Sequence, residues 1–238
     1  MGENLVVRKN NELILPQEKE FIDNGDVNKV FISGIIEDEL EFSHETFWQK
    51  FYKTRVKVKR LSQEEDYVPL VISSFLVFNF LEESLKGKYV EVEGHFCSRN
   101  KQRKDGANHL ELFLLATDIN IYEAEKDFEE VVNANLIYLD GYICKPTNYR
   151  NTPLGKQVTD IMIAVNRHKN ISDYIPCIAW GENALYADTL SVGNRIRILG
   201  RIQSREYFKR FSPESEEGEI RIAYEISIMK IIKVEETV

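Results

Sequence analysis

Between Gly193 and Lys209 the chain alternates with a period of two. Ile196, Ile198, Gly200, Ile202, Ser204, Glu206 and Phe208 fall on one side, and Arg195, Arg197, Leu199, Arg201, Gln203, Arg205, Tyr207 and Lys209 on the other. Successive side chains of a strand point to opposite faces, so this stretch predicts a long strand with a mostly branched-aliphatic face inward and a mostly cationic face outward. Gly200, mid-run and without a side chain, predicts a bulge or a bend of the kind a small barrel requires. A solvated strand face usually mixes charges of both signs. Arginines in a row with a glutamine and a tyrosine suit phosphate and base contacts instead.

The same kind of alternation places further strands along the chain. KVFISGII from Lys29 is followed by a polar-aromatic stretch, FSHETFWQKFYKT, and by a strand through VKVKR to Arg60. Asp66-Tyr67-Val68-Pro69 leads into LVISS, and SFLVFNFLEESLKG reads as a short helix ending at Gly87. KYVEVEGHFCSRN is a strand about Gly94, a basic loop follows, and HLELFLLATDINIY ends the unit. This order recurs about 107 residues later. Gly34 matches Gly141, Val56 and Val58 match Ile163 and Val165, and Arg60 matches Arg167. Asp66-Tyr67 matches Asp173-Tyr174, Gly94 matches Gly200, and Ser98-Arg99 matches Ser204-Arg205. An ordered series of this length indicates a tandem duplication. Roughly five strand-like runs and one short helix per unit predict an all-β chain of two tandem OB-fold five-stranded barrels. The expected division is an arm over 1–27, a divergent first domain over 28–124, an acidic linker over 125–133 and a second domain over 134–235. The arm reads equally as a flexible extension or an added edge strand.

Composition narrows the picture. Hydrophobic residues make up 43% of the 238, enough for packed cores. No long apolar run or signal-peptide core is present, so a cytoplasmic protein without membrane attachment is expected. Cys97, Cys144 and Cys177 are widely spaced and read as reduced thiols, and neither they nor the four histidines have metal-ligand spacing. The net charge of -8 is uneven: residues 130–238 carry 14 Lys+Arg against 14 Asp+Glu, so the acidic excess lies in the first unit. A basic face on a neutral domain still suits a polyanion.

The pieces NLIYLDGYI, TPLGKQVTDIMIAVNR, DYIPCIAWGENALYA, GNRIRILGRIQSREY and AYEISIMKIIKVE, in that order over residues 134–235, resemble the bacterial single-stranded DNA-binding protein family. Residues 28–124 resemble it more faintly, through the repeat, which makes the chain similar to a two-domain variant of that family. The resemblance implies stacking of bases on Tyr174, Trp180 and Tyr207, with Arg201, Gln203 and Arg205 on the DNA-facing strand. Arg167 and Lys209 extend the cationic set, and Tyr149 and Arg150, in the loop KPTNYRNTP, are further contacts. From the residues alone, Trp180 before Gly181 is either a surface ring at a strand end or a core tryptophan, and Tyr174 either stacks or fixes a turn. Two departures stand out. No aromatic occupies His168 or Lys169, where the family often has one, and the end KVEETV lacks the acidic tail tip by which family members recruit partners.

The first unit keeps Tyr67 and Arg60 but has Ser73-Ser74 where Trp180 would be and Asn100 near the position of Tyr207. Arg99, Lys101, Arg103 and Lys104 are its candidates for backbone contact. The expected function is sequence-tolerant binding of single-stranded DNA by stacking and charge neutralisation, protecting strands in replication, recombination, repair or mobile-element transfer. The alternatives are an OB-fold module bridging replication or conjugation proteins, and binding of single-stranded RNA. With no phosphate loop, ligand cluster or nucleophile paired with histidine, no enzyme activity and no cofactor are expected. Four OB-folds per particle in the family imply a homodimer, and replication or recombination proteins are possible partners.

Overall fold

The computed structural model describes residues 7–9, 12–14, 21–22, 24–80, 83–102, 108–123, 134–167, 171–210 and 216–234. The strands are β1 Val7–Lys9, β2 Glu12–Ile14, β3 Asn28–Ile36, β4 Glu41–Thr46, β5 Gln49–Lys59, β6 Glu65–Ser73, β7 Tyr89–Gln102 and β8 Asn108–Tyr122. They continue as β9 Asn135–Ile143, β10 Asn148–Asn151, β11 Gln157–Asn166, β12 Ser172–Trp180, β13 Arg195–Arg210 and β14 Gly218–Lys233. The α-helix α1, Glu182–Asp188, follows β12. β1 and β2 pair with each other, and the other strands form one sheet in the order β10-β11-β12-β14-β13-β9-β3-β7-β8-β6-β5-β4.

That order is a palindrome under the repeat, with β9 beside β3 at its centre. Within each half, pairing of β3 with β5 and of β9 with β11 closes the sheet on itself. The third and fifth barrel strands run parallel, β6 with β8 and β12 with β14. Each half is therefore a closed five-stranded OB barrel, and the barrels join edge to edge through an antiparallel ladder from Asn28↔Leu139 to Ile32↔Asn135.

The repeat glycines mark where the backbone is pressed hardest. A Cβ on Gly141 would lie 2.6 Å from the carbonyl oxygen of Ala164, and one on Gly200 2.6 Å from that of Ser227. Gly34 and Gly94 meet Lys57 and Leu115 in the same way. Only a residue without a side chain allows a strand to bend this tightly over its neighbour. The ladder registers shift between Leu199 and Gly200 and between Glu93 and Gly94, so each long strand is bulged where it turns the barrel corner.

The cores follow from the alternation. Val56 and Val58 on β5, and Ile163 and Val165 on β11, point inward and are fully or almost fully buried. Ile196, Ile198 and Ile202 on β13 do the same. A second cluster lies at the joint, where the ring of Phe21 stacks on Tyr138 with centroids 4.9 Å apart and planes 11° apart, beside Phe31 and Leu136. Complete burial of Phe21 contributes about 1.5–3 kcal/mol and ties the segment before the first barrel to the first strand of the second.

The halves differ in two elements. α1 is rich in good helix formers and buries Ala184 and Ala187, whereas among the described residues the first half has a 3-10 turn, Phe78–Phe80, where a short helix was expected. Phe, Val and Asn in that stretch are weaker helix formers than Ala and Leu. The polar-aromatic stretch forms a hairpin, β4 to β5, with Phe47 and Trp48 as its turn. The expected linker 125–133 lies outside the described residues. No helix among the described residues is long and apolar enough to cross a membrane.

Candidate nucleic-acid interface

β12 alternates so that Asp173, Ile175, Cys177 and Ala179 point inward, and Tyr174, Pro176 and Trp180 fall on the other face together with Ile178, which is itself buried. Tyr174 is 46% exposed and Trp180 37%. Six residues of strand separate the two rings by roughly 20 Å on one face. Trp180 sits opposite Val158 and lines an open groove of about 580 Å³ with Asn151, Gly155, Lys156, Gln157 and Gly181. The side chain is thus a surface ring at a strand end, flanked by the turn from β10 to β11. Tyr149 on β10 is half-buried. Arg150 forms a two-armed pair with Asp160, both bonds 3.0 Å.

The outward row of β13 is less freely cationic than its sequence suggests. Arg195 and Arg197 both bond to the buried carboxylate of Asp140, at 2.8 and 3.0 Å from their Nε atoms. Gln203 is buried and donates from Nε2 to Glu225 at 2.7 Å. Arg205 lies 3.7 Å from Glu225 and 6.0 Å from the centre of the Tyr207 ring. Lys209 is exposed. Arg201, half-buried, makes no ion pair with a described residue, and burial followed by the nearby charge of Arg60 lowers its pKa.

Arg60 and Arg167 have another task. Asp66 and Asp173 are fully buried, and each is gripped by the arginine six residues before it, through Nε bonds of 2.6 Å and a second, shorter contact from Nη2. These bonds raise the pKa of both guanidinium groups. Each carboxylate also accepts a backbone N–H from the opposite unit: Ser204 donates to Asp66 at 2.7 Å, and Ser98 to Asp173. The serine hydroxyls complete the exchange, since Tyr67 N–H donates to Ser204 Oγ at 3.1 Å and Tyr174 N–H to Ser98 Oγ at 2.8 Å. The backbone of each outward tyrosine is therefore held by the other barrel.

This crossing places the long hairpins across the joint. Tyr207 on β13 and Arg99 on β7 line one groove of about 830 Å³ between the units, together with Arg55, Phe113, Pro176 and Tyr224. Tyr207 is thus separated from the Trp180 groove and faces the first unit. Tyr67, half-buried, donates its hydroxyl to Glu65 at 2.9 Å and lies under Arg55, 5.5 Å from its ring centre. Arg99 pairs with Glu111 and covers Phe113, and Lys101 lies 3.6 Å from Glu111. Arg103 and Lys104, like His168 and Lys169, lie outside the described residues.

Sequence reasoning passed over two features of the first unit. One is the exposed hairpin turn of Phe47 and Trp48. The other is the outward row Lys53, Arg55 and Lys57 on β5, whose repeat equivalents on β11 are Asp160, Met162 and Ala164. The period-two count that found the β13 row also finds this one.

Residues 134–231 match the Single-strand binding protein family. The chain is 35% identical over 99 residues to a single-stranded DNA-binding protein of Clostridium tetani, covering 39% of this chain and 64% of that one. It is 37% identical over 94 residues to single-stranded DNA-binding protein B of Bacillus subtilis, covering 35% of this chain and 75% of that one. It thus spans between half and three quarters of the length of the relatives it matches. In fold, both barrels together resemble the crystal structure of the single-stranded DNA binding protein from Thermus aquaticus, with a TM-score of 0.70 at 18% identity over 89% of this chain and 95% of that one. Matched through the unit that carries Tyr174 and Trp180, and alike in fold along both units, the chain belongs to the single-strand binding protein family.

Proposed function

We propose that the chain binds single-stranded DNA without sequence preference, protecting it by base stacking and phosphate neutralisation, with 28–124 and 134–235 as its two domains. The observation that carries this reading is the pair of solvent-open rings, Tyr174 and Trp180, on the outward face of β12, with Lys156 beside Trp180. Every base has a π-face, so rings and cations together give affinity without a sequence code. Tyr149 and Arg150 extend this face, Arg201, Gln203, Arg205, Tyr207 and Lys209 form a second contact row along β13, and Tyr67, Arg99, Lys101 and Arg103 belong to the first unit's share. Arg60 and Arg167 support it by fixing Asp66 and Asp173. The relatives it matches are single-stranded DNA-binding proteins, which favours DNA over RNA. We place the protein in the cytoplasm as a binder rather than a catalyst, serving replication, recombination, repair or strand transfer alongside proteins of those processes. Two barrels per chain favour a homodimer with four barrels.

Titration of labelled dT oligomers at several salt concentrations tests the function. Submicromolar binding that weakens linearly in log salt is expected, and binding no tighter than to a duplex of equal length would sink it. A matched ribo-oligomer that competes equally would move the assignment to RNA. Light scattering at micromolar concentration should give twice the 27.8 kDa chain mass, and a monomer there would remove the homodimer.

A further inference from the structure

The turn from β4 to β5 consists of Phe47 and Trp48, with φ of 47° and 65°, closed by the pair Thr46↔Gln49. A two-residue hairpin turn with both central residues at positive φ ordinarily takes Asn-Gly or Asp-Gly, because a Cβ is crowded there. Here two of the largest side chains occupy it, and both are 95% exposed. The fold gains no buried surface from either ring, yet it carries the backbone strain that holds them in the open. Strain of this kind concentrates at functional sites. More rings adjoin the turn. His44 stacks on Phe51 with centroids 4.7 Å apart and planes 4° apart. Ser74 N–H donates to Lys50 C=O at 2.8 Å, and the next residue, Phe75, is exposed.

From the turn, β5 leads away with Lys53, Arg55 and Lys57 outward and Thr54, Val56 and Val58 buried. Successive outward residues are roughly 7 Å apart, a step commensurate with the phosphates of an extended single strand. Carboxylates hold the two lysines loosely. Lys53 lies 2.8 Å from Glu41 and Lys57 3.9 Å from Glu65, at partly exposed positions where an ion pair is weak and a phosphate competes, whereas Arg55, between them, is fixed in its outward position by two bonds to Asp38 at 2.6 and 3.1 Å. In the second unit the repeat equivalents of the two turn residues are Leu154 and Gly155, and Gly155 with the adjacent Lys156 lines the Trp180 groove. The first unit has Ser73 in place of that tryptophan and carries its rings on the turn itself.

We propose that the Phe47–Trp48 turn and the β5 row form a second single-strand contact, with bases stacking on the turn and phosphates following Lys53, Arg55 and Lys57. The proposal rests on the single-strand-binding reading above. Rings alone would suit a protein surface. A cation row leading from them at regular spacing fits a polyanion that carries bases.

Trp48 and Trp180 are the two tryptophans of the chain, so each site has its own reporter. In Trp180→Phe, which keeps a ring in the groove, dT oligomers long enough to span both units should quench Trp48 emission saturably. Trp48→Ala should weaken binding of those oligomers about five- to a hundredfold, with short oligomers bound as by the parent. Trp48 emission that stays constant on an oligomer that quenches Trp180 in Trp48→Phe would overturn the proposal and leave the second unit's function standing. An oligomer that binds none of these chains would remove both. A Trp48 signal that follows protein concentration without any oligomer would overturn it in favour of contact between copies.

Discussion

Asp66 and Asp173 link fold and site at the level of single residues. Each is buried, holds an arginine of its own unit and accepts an N–H from the other, and each is followed by an outward tyrosine. Asp173→Ala would leave Arg167 without its anion and Ser98 N–H without its acceptor. Because the Arg167 side chain is 38% exposed, water softens the loss, and about 2–3 kcal/mol of stability should disappear in chemical denaturation. Binding of dT should weaken with it, since Tyr174 loses its registration. An Asp173→Ala chain as stable as the parent would show that the cross-unit bonds contribute nothing. Trp180→Ala should do the reverse, reducing affinity by about 1–3 kcal/mol with stability changed by less than about 1 kcal/mol. Unfolding of that variant would make the ring a packing element. The Asp-Tyr and Ser-Arg pairs were legible in the sequence as repeats. Their mutual contact was not, because alternation tells which face a side chain takes and says nothing about which barrel lies opposite.

Among the elements, β13 was the most legible and also the most misleading. Its strand, inward isoleucines and bulge at Gly200 follow from period and glycine alone. The strength of its cationic face does not, since Asp140 neutralises Arg195 and Arg197 from β9, a strand 55 residues away at the Arg195 bond. Arg201 is the exception, a half-buried guanidinium pressed by Arg60. Arg201→Gln should therefore leave the thermal midpoint unchanged or raise it, and flatten the slope of log affinity against log salt by about one unit. A fall in stability with an unchanged slope would place Arg201 in an internal network. The hairpin of β4 and β5 was illegible because rings fall on both of its faces and its turn lacks Gly, Asn and Asp. Next to it, the hydrogen bond from Arg55 lowers the pKa of Asp38. Glu111 is also lowered, burial pushing it up but the bond and charge of Arg99 outweighing that. For groups lowered in the folded state, the stability is complete above their ordinary values of 3.8 and 4.5 and is lost as pH falls through the folded ones. The thermal midpoint should be level from neutral pH to about pH 5 and drop below about pH 4, and Asp38→Asn should shallow that drop. An acid limb that begins near pH 6 would implicate other groups.

At the scale of the molecule, the two repeats meet in an interface within one chain. The β3–β9 ladder, the Phe21–Tyr138 stack and the two crossed Asp–Ser exchanges all span the joint. Separation of the barrels would expose two strand edges with unpaired backbone groups and leave two buried carboxylates short of donors, at about 1–3 kcal/mol for each unsatisfied group. The halves should therefore unfold together. Hydrogen exchange followed by mass spectrometry in rising denaturant reads β5–β6 and β11–β12 separately, and both segments should lose protection at one midpoint. Asp66→Ala, a change in the first unit, should lower that midpoint and deprotect β13 around Ser204 in the second. Two well-separated midpoints, or deprotection confined to the mutated unit, would mean that the barrels are merely tethered, and that the placement of Tyr67 and Tyr174 by opposite units has no energetic weight.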